Sequence, residues 1–429
     1  MTFYNKFFFT SIVTLFFSCV CVAEQLVEVQ ELSLRQAIQL ALDHNHDLKL
    51  SLSAVENATA AGLIAGAAPN PMLTLQATGI NPKEGIGAGP LCGKAVDSAM
   101  RIDQLIERGG KRQLRMTSTA YMEDASRADK HDMQRQVRVL VSLSYYDLLA
   151  AEEKHIILTQ TAALYEHSIS AAQKRQKAGD LAGADLARLQ VDALRAKNDV
   201  VQSVADTTRM RQILANALGQ LRIAEHIKLT DTWPPAIGNF TEPSLTLLDS
   251  RPEIKAAKAR VDAAIANRKL ALASRSRDVS VGVQYDHYPV GQTNNQGTGN
   301  SVGFFIQIPL FLRYQFEGEI RSAEVAVDVA TETLEKIRDQ VKNDLFQNWQ
   351  DVRTSFDLLQ RYDDSLLIAA KKSADAAEFA FAHGAINIMD VLDTRRLYKA
   401  TQLDALSARA VYAKSLAAWQ ANPLENEHQ

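Results

Sequence analysis

Two periods of hydrophobic and polar residues follow one another along this chain, and the sequence runs through them twice. The period of two is clearest where Val279, Val281, Val283 and Tyr285 alternate with Ser280, Gly282, Gln284 and Asp286. It returns where Val302, Phe304, Ile306 and Ile308 alternate with Gly303, Phe305 and Gln307. A fainter pair stands in the first half: Leu73, Leu75 and Ala77 against Thr74, Gln76 and Thr78, then Met100 and Ile102 against Arg101 and Asp103. Successive side chains of a strand point to opposite faces, so each segment predicts a strand with one apolar and one polar or mixed face. At roughly 10–12 residues, each is long enough for a tilted strand to cross a bilayer. The loops between them, Asn81 to Ala95 and Pro289 to Asn300, are rich in Gly, Asn and Pro and suit the outer mouth of a barrel.

The second period is helical. Leu334, Ile337, Val341, Leu345, Trp349, Val352, Phe356, Leu359, Tyr362 and Leu366 are three or four apart, the spacing of a coiled-coil seam. No Pro interrupts the charged stretches Gly110 to Ala178 and Tyr314 to Ala382. At 1.5 Å per residue each predicts a helix about 100 Å long. Returning helices are predicted over Ala184 to Leu218 and Ile388 to Ala421, about half that length. Shorter helices open each half. Ser33-Leu34-Arg35-Gln36 reads as a capping box starting a helix that stops near Gly66, before Pro69-Asn70-Pro71. Ser250-Arg251-Pro252-Glu253 has the same Ser-x-x-Glu form and opens a helix to about Ser274. An opening helix stacked end to end on a returning helix would match one long helix.

The halves are copies. Lys177-Ala178-Gly179-Asp180-Leu181-Ala182-Gly183-Ala184-Asp185-Leu186 recurs about 205 residues later as Ala382-His383-Gly384-Ala385-Ile386-Asn387-Ile388-Met389-Asp390-Val391. Gly179 matches Gly384 as a hairpin turn, and Asp185 matches Asp390. A repeat of this size decides the fold before any local reading does. The expected layout is a leader over 1–23, a first repeat over 24–219, a mid-body connection over 220–249, a second repeat over 250–422 and a tail over 423–429.

Composition adds little except by exclusion. The net charge of −3 gives no footprint for nucleic acid. Lys6 followed by the apolar run Phe7 to Val22 and Cys21-Val22-Ala23 reads as a secretory signal. A retained anchor is the alternative, as is lipidation at Cys19 or Cys21, although Phe16-Phe17-Ser18 lacks the usual aliphatic residue before Cys19. Past residue 23 no apolar run is long enough for a membrane-spanning helix, and only Cys92 would remain, so no intrachain disulfide is expected. Four strands cannot close a barrel, and open edges are not tolerated in lipid. Copies must associate: two would give a filled eight-stranded barrel, three a twelve-stranded one wide enough for a lumen.

At this point the chain resembles the TolC-type outer-membrane efflux factors, the outer ducts of tripartite export systems. The resemblance spans nearly the whole mature chain, including Arg251-Pro252-Glu253 and Met389-Asp390-Val391-Leu392-Asp393. Ile106-Glu107-Arg108-Gly109-Gly110-Lys111-Arg112 resembles the CzcC branch, which serves heavy-metal pumps of the RND type. The fold class implied is an α+β membrane protein: a long α-helical coiled-coil barrel plus a transmembrane β-barrel, four strands per chain, assembled as a trimer with an internal two-fold repeat. The implied partners are two further copies, a periplasmic adaptor, an inner-membrane RND pump and outer-membrane lipid, with a helical extension into the periplasm.

No catalytic constellation is present in the sequence: no phosphate loop, no His-Glu-x-x-His pair and no nucleophile elbow. No cofactor or resident metal is expected, and the chain is not read as an enzyme. His44-Asn45-His46 and His383 read as polar surface and helix-end residues. Asp390 and Asp393, three apart, share a helix face. In a trimer they would form two stacked rings of carboxylates, and the resemblance implies that matching acids line the closed periplasmic entrance. Ile386 stands where some members of the family carry a basic residue, so a lock at that position is not expected. Asp185 with Arg188 in the first repeat completes the candidate gate. Two other cargoes, drugs and secreted proteins, fit a duct equally well, and an exported coiled-coil scaffold is the reading of another class.

Overall fold

The computed structural model describes residues 30–78, 80, 96–243, 245–288 and 299–422. The expected leader with Cys19 and Cys21, Cys92, most of both strand-joining loops and the tail over 423–429 lie outside the described residues.

The period-two segments form one antiparallel sheet. Strands β2 (Met72–Thr78), β3 (Asp97–Ile106), β5 (Val279–Tyr288) and β6 (Gly299–Gln307) lie in the order β2-β3-β5-β6. The register brings the apolar positions into rows: Leu73 pairs with Ile102, Ile102 with Val283, and Val283 with Phe304. That face is bare, with Leu75, Phe304 and Ile306 all strongly exposed. The other face carries Arg101, Asp103, Gln284 and Asp286. There Arg101 pairs with Asp103 at 2.8 Å and lies 4.5 Å above the Phe305 ring. Such a sheet cannot stand in water on one side and lipid on the other with β2 and β6 unpaired at its edges. Among the described residues one chain supplies four strands to this sheet, which does not close on itself.

Helix α3 (Lys111–Lys177) is continuous over 67 residues, as its sequence predicts. Its counterpart is not one helix from Tyr314 to Ala382. Phe316, at φ 65°, takes a left-handed turn before α6 (Glu317–Arg361) begins. A π turn over Tyr362–Leu366 then separates α6 from α7 (Leu367–Ala382). The Arg409 guanidinium clamps this turn, reaching Asp363 at 2.8 Å and Glu153 at 3.6 Å. The seam residues Leu334, Val341, Leu345, Val352 and Leu359 are buried, but Leu366 is exposed. The residue added by a π turn rotates the face that follows it.

The opening helix of the first half is also two helices, α1 (Leu34–His44) and α2 (His46–Gly66). The capping box at Ser33 and Gln36 forms as expected. The break is at Asn45, whose backbone is extended and whose carboxamide oxygen accepts from the amides of Asp47 and Leu48. Its Nδ2 donates to the Ala217 carbonyl at 2.9 Å. Ala217 ends the returning helix α4 (Gly183–Ala217), so α2 continues the column of α4. Gly219 closes the joint at φ 73°, where a Cβ would run into the His44 carbonyl.

The second half makes the same joint with other chemistry. Ser250 does not cap helix α5 (Pro252–Ala273); Arg251 is the N-cap. Pro252 holds the residue before it extended and suits the first helical position, so the helix starts one residue later than a Ser250 cap requires. Arg251 is thereby turned to Asn422 at 2.6 Å, just past the end of α8 (Ile388–Gln420), and to Glu253 at 2.8 Å. Burial raises the Glu253 carboxyl, but the hydrogen bond and charge of Arg251, with Arg135, overturn this and hold it below its ordinary value. A depressed carboxyl stabilises the fold above its unfolded pKa, near about 4.3, and the contribution is lost as pH falls through the lower folded value. Arg251 is buried, so Arg251→Ala removes one of the two guanidinium partners of Glu253, leaving Arg135 at 2.7 Å, and takes the Arg251 donor from the Asn422 side-chain oxygen. The expected cost is about 1–3 kcal/mol, measured as an earlier denaturant midpoint of the assembled protein.

Residues 219–249 strap the middle. Two 3-10 turns and a three-residue strand, β4 (Ile227–Leu229), run there, and β4 pairs in parallel with β1 (Gln30–Leu32). Three-residue strands leave no periodic signal, so this pair is not legible in the sequence. The main core cluster lies beneath, built on Val141, Tyr145, Leu148, Leu214 and Leu218. Tyr145 donates to the Leu32 carbonyl at 3.0 Å, and burial pushes its phenol up to about 12.

Candidate functional site

The two hairpin ends, α3–α4 and α7–α8, lie at the far end of the long helices from the sheet. Both turns are built alike. Gly179 and Gly384 have φ of 86° and 74°, a left-handed conformation that glycine adopts without a steric cost. Asp180 donates back to the Arg175 carbonyl at 2.9 Å, and Ala385 to Ala380 at 2.8 Å. These six-to-one bonds satisfy carbonyls left open at the helix ends. The returning helix α8 starts at the Asn387 cap, which places Asp390 in its first turn.

An apolar cluster fastens the ends together. Tyr165 and Ala172 of α3, Leu186, Leu189, Ala193 and Ala196 of α4, and Ile388 and Leu392 of α8 are buried in it. Asp192 lies inside this seam at 7% exposure. A carboxylate there needs a partner, because an unpaired buried charge is costly. Arg396 of α8 supplies it at 2.6 Å and reaches Asp393 at 3.0 Å with its other nitrogen. The hydrogen bond to Asp192 holds the Arg396 guanidinium above its ordinary value. Burial raises the neighbouring Tyr165 phenol as well.

Further cross-links surround this one. Lys399 reaches Asp199 at 2.6 Å, again from α8 to α4. Arg395 bonds Glu378 of α7 at 2.7 Å and Ser168 of α3 at 2.5 Å. Arg175 of α3 lies 4.7 Å above the ring of Phe381 in α7. Between the hairpins remains a cleft of 670 Å³, lined by Leu164, His167, Arg175, Glu378, Phe381 and Ile388 among others.

The residues singled out in the sequence are placed unevenly. Asp390 and Asp393 are exposed on α8, and Asp390 has no ion-pair partner among the described residues. Asp185 and Arg188 sit together on α4, but at 4.0 Å and with Arg188 largely in solvent. No ion pair among the described residues joins Asp185 or Arg188 to Asp390 or Asp393. The Asp192–Arg396 bridge makes that connection instead, and sequence reasoning missed it. The signal was present: a lone acid in the apolar stripe Leu186, Leu189, Ala193, Ala196. His383 is a helix-end residue, its Nδ1 2.8 Å from the Phe379 carbonyl. Among the described residues no group of His, Cys, Asp and Glu has metal-binding geometry, and no helix is long and apolar enough to cross a membrane.

The chain matches the outer membrane efflux protein family over residues 37–220 and 245–421. It is 24% identical over 380 residues to the cobalt-zinc-cadmium resistance protein CzcC of Cupriavidus metallidurans, covering 85% of this chain and 83% of that one. It is 26% identical over 432 residues to the pyoverdine export outer membrane protein OpmQ of Pseudomonas putida, covering 91% and 87%. Among solved structures, a membrane protein from Pseudomonas aeruginosa superposes with a TM-score of 0.76 at 18% identity, covering 90% of this chain and 92% of that one.

Proposed function

We propose a specific duct on a plain premise: the chain belongs to the outer membrane efflux protein family. It is therefore an outer-membrane efflux channel with a periplasmic helical extension, not an enzyme. The proposal is that three copies close a twelve-stranded barrel and that the duct releases heavy-metal cations. In this reading an RND pump of the inner membrane and a periplasmic adaptor deliver the cargo. The repeats are taken as 24–219 and 250–422, joined by 220–249, behind a leader over 1–23 and before a tail over 423–429. The entrance is the hairpin ends turned by Gly179 and Gly384. Asp390 and Asp393 ring the opening, Asp185 and Arg188 flank it, and Arg396 on Asp192 holds it shut.

The observation that carries the metal reading is the likeness to CzcC across 85% of the chain, together with Ile106 to Arg112. Exposed carboxylates at the proposed entrance support it, since acidic rings draw cations. Deleting the gene and growing the cells on zinc, cobalt, cadmium and a panel of drugs tests it. Sensitivity to one or more divalent metals, with drug tolerance unchanged, is expected. Sensitivity to drugs alone would reassign the cargo to organic molecules, and loss of a secreted protein would reassign it to protein export.

A further inference from the structure

The apolar face of the sheet ends in an unusual charge arrangement. Its last outward residues on β3 and β5 are Ile106 and Val279, which pair directly. One step further the period of two reaches Arg108 and Arg277 on that face, with Glu107 and Asp278 on the other. Both acids are occupied: Arg115 holds Glu107 at 2.5 Å, and Lys111 holds Asp278 at 2.9 Å. Arg108 and Arg277 are exposed and have no ion-pair partner among the described residues. The Arg108 amide donates to Asp278 at 2.9 Å, which keeps the two segments adjacent at this point. Like charges placed opposite each other on neighbouring strands repel. Among the described residues no ion pair offsets that repulsion.

The neighbouring strand points to what does. The apolar row of β6, Val302, Phe304 and Ile306, does not stop where its ladder ends at Gln307. Ile308, Leu310 and Leu312 follow at the same spacing, all exposed, Leu312 at 81%. The equivalent connection in the first half, Glu107 to Gly110, has no such row. Next to it stand Arg313, also exposed and unpaired among the described residues, and Phe311, whose ring lies 6.0 Å from the Arg277 guanidinium. Unpaired cations at the lower edge of an apolar band, beside aliphatic side chains continuous with that band, complement a lipid of net negative charge.

We infer that Arg108, Arg277 and Arg313, with Leu310, Phe311 and Leu312, form a binding site for an anionic phospholipid at the periplasmic edge of the barrel. The guanidinium forks hold the phosphodiester, which accepts several N–H bonds at once. The leucines take the upper part of the acyl chains. A zwitterionic lipid carries its own ammonium beside the phosphate and gains far less from the arginines. The site occurs once per chain, so a trimer would wear three around its rim, fixing the depth of the barrel in the inner leaflet.

The inference rests on the reading of the chain as a membrane-inserted trimer. The test uses the full-length protein in nanodiscs of equal parts phosphatidylglycerol and phosphatidylcholine, with retained lipids counted by native mass spectrometry. Phosphatidylglycerol should be enriched by roughly fivefold for each arginine engaged. Arg108→Gln with Arg277→Gln should bring the ratio close to that of the bulk, while lysine at both positions should keep most of the enrichment. Leu310→Asn with Leu312→Asn should also lower it, and millimolar inorganic phosphate should leave it unchanged. If the double glutamine variant fails to form trimers, Arg277→Gln alone is compared with the wild type. A wild-type trimer that conducts ions but holds lipids in the bulk ratio overturns this inference alone. So does enrichment that survives both glutamines, or lipid displaced by phosphate. A wild-type chain that never inserts as a trimer overturns the duct reading with it.

Discussion

Replacing Asp390 and Asp393 together by Ala is expected to remove divalent block of the duct and to weaken its preference for cations. In the proposed trimer these exposed residues of α8 would bring six carboxylates around one opening. Carboxylates gathered around a narrow opening draw cations to it. Zinc or cadmium added on the periplasmic side should therefore lower single-channel conductance in the wild type. In the double variant at least about tenfold more metal should be needed, one tenfold step in affinity being about 1.4 kcal/mol. Assembly should hardly change, because solvent-exposed charges contribute little to stability, about 0–1 kcal/mol for a pair. Conductance traces with unchanged block would place these side chains outside the lumen, and the entrance would have to be sought elsewhere on the hairpin ends.

The second large effect concerns the bridge beneath the ring. Arg396→Ala strips the partner from Asp192, which is 7% exposed among leucines and alanines. An uncompensated buried charge costs about 3–5 kcal/mol. The hairpin ends relieve that cost by parting, which lets water reach Asp192. Amides of α4 around residues 189–196 should exchange faster by roughly a hundredfold, the factor for about 3 kcal/mol of lost local stability. The duct should also stay open longer at rest. Adding Asp192→Asn should restore slow exchange in large part, since the charge that needed a partner is gone. Fast exchange in the single variant that persists in the double one would mean that lost packing of the arginine stem is responsible.

Much of this architecture is legible from local patterns. The period of two located all four strands of the sheet, because each strand has one apolar face and one polar or mixed face. Gly179 and Gly384 marked the hairpin turns, because helix ends with left-handed residues favour glycine whatever lies around them. Ser33 and Gln36 found the first cap, because both partners of the box are three residues apart. What stayed hidden depends on residues far away in sequence. Asn45 breaks the opening helix where its side chain meets Ala217, and Arg251 is turned by Asn422. In neither segment is the distant partner marked, although Pro252 sets where α5 begins. The π turn at Tyr362 is of the same kind, secured by Arg409 from another helix. Asp192 and Arg396 are 204 residues apart, and only the acid left a trace, as a charge in an apolar stripe.

The hairpin ends differ from a lock made at the turn itself. Ile386 leaves no cation between Gly384 and Asp390. The cations stand further along α8, at Arg395, Arg396 and Lys399, and grip α7, α3 and α4. These cross-links are spread over about one turn of α8, so in the proposed duct the acids that attract cargo would not be the residues that hold the helices together.

The proposed duct depends on assembly. Its sheet has one face for lipid, one for water and two unpaired edges, an arrangement that only closure with further copies makes stable in a bilayer. The most direct measurement is the mass of the protein extracted from outer membranes in mild detergent, by light scattering with the detergent contribution subtracted. Three chains per particle, with strand content intact by circular dichroism, is the predicted result. A stable particle of one chain that keeps its strand content would contradict it.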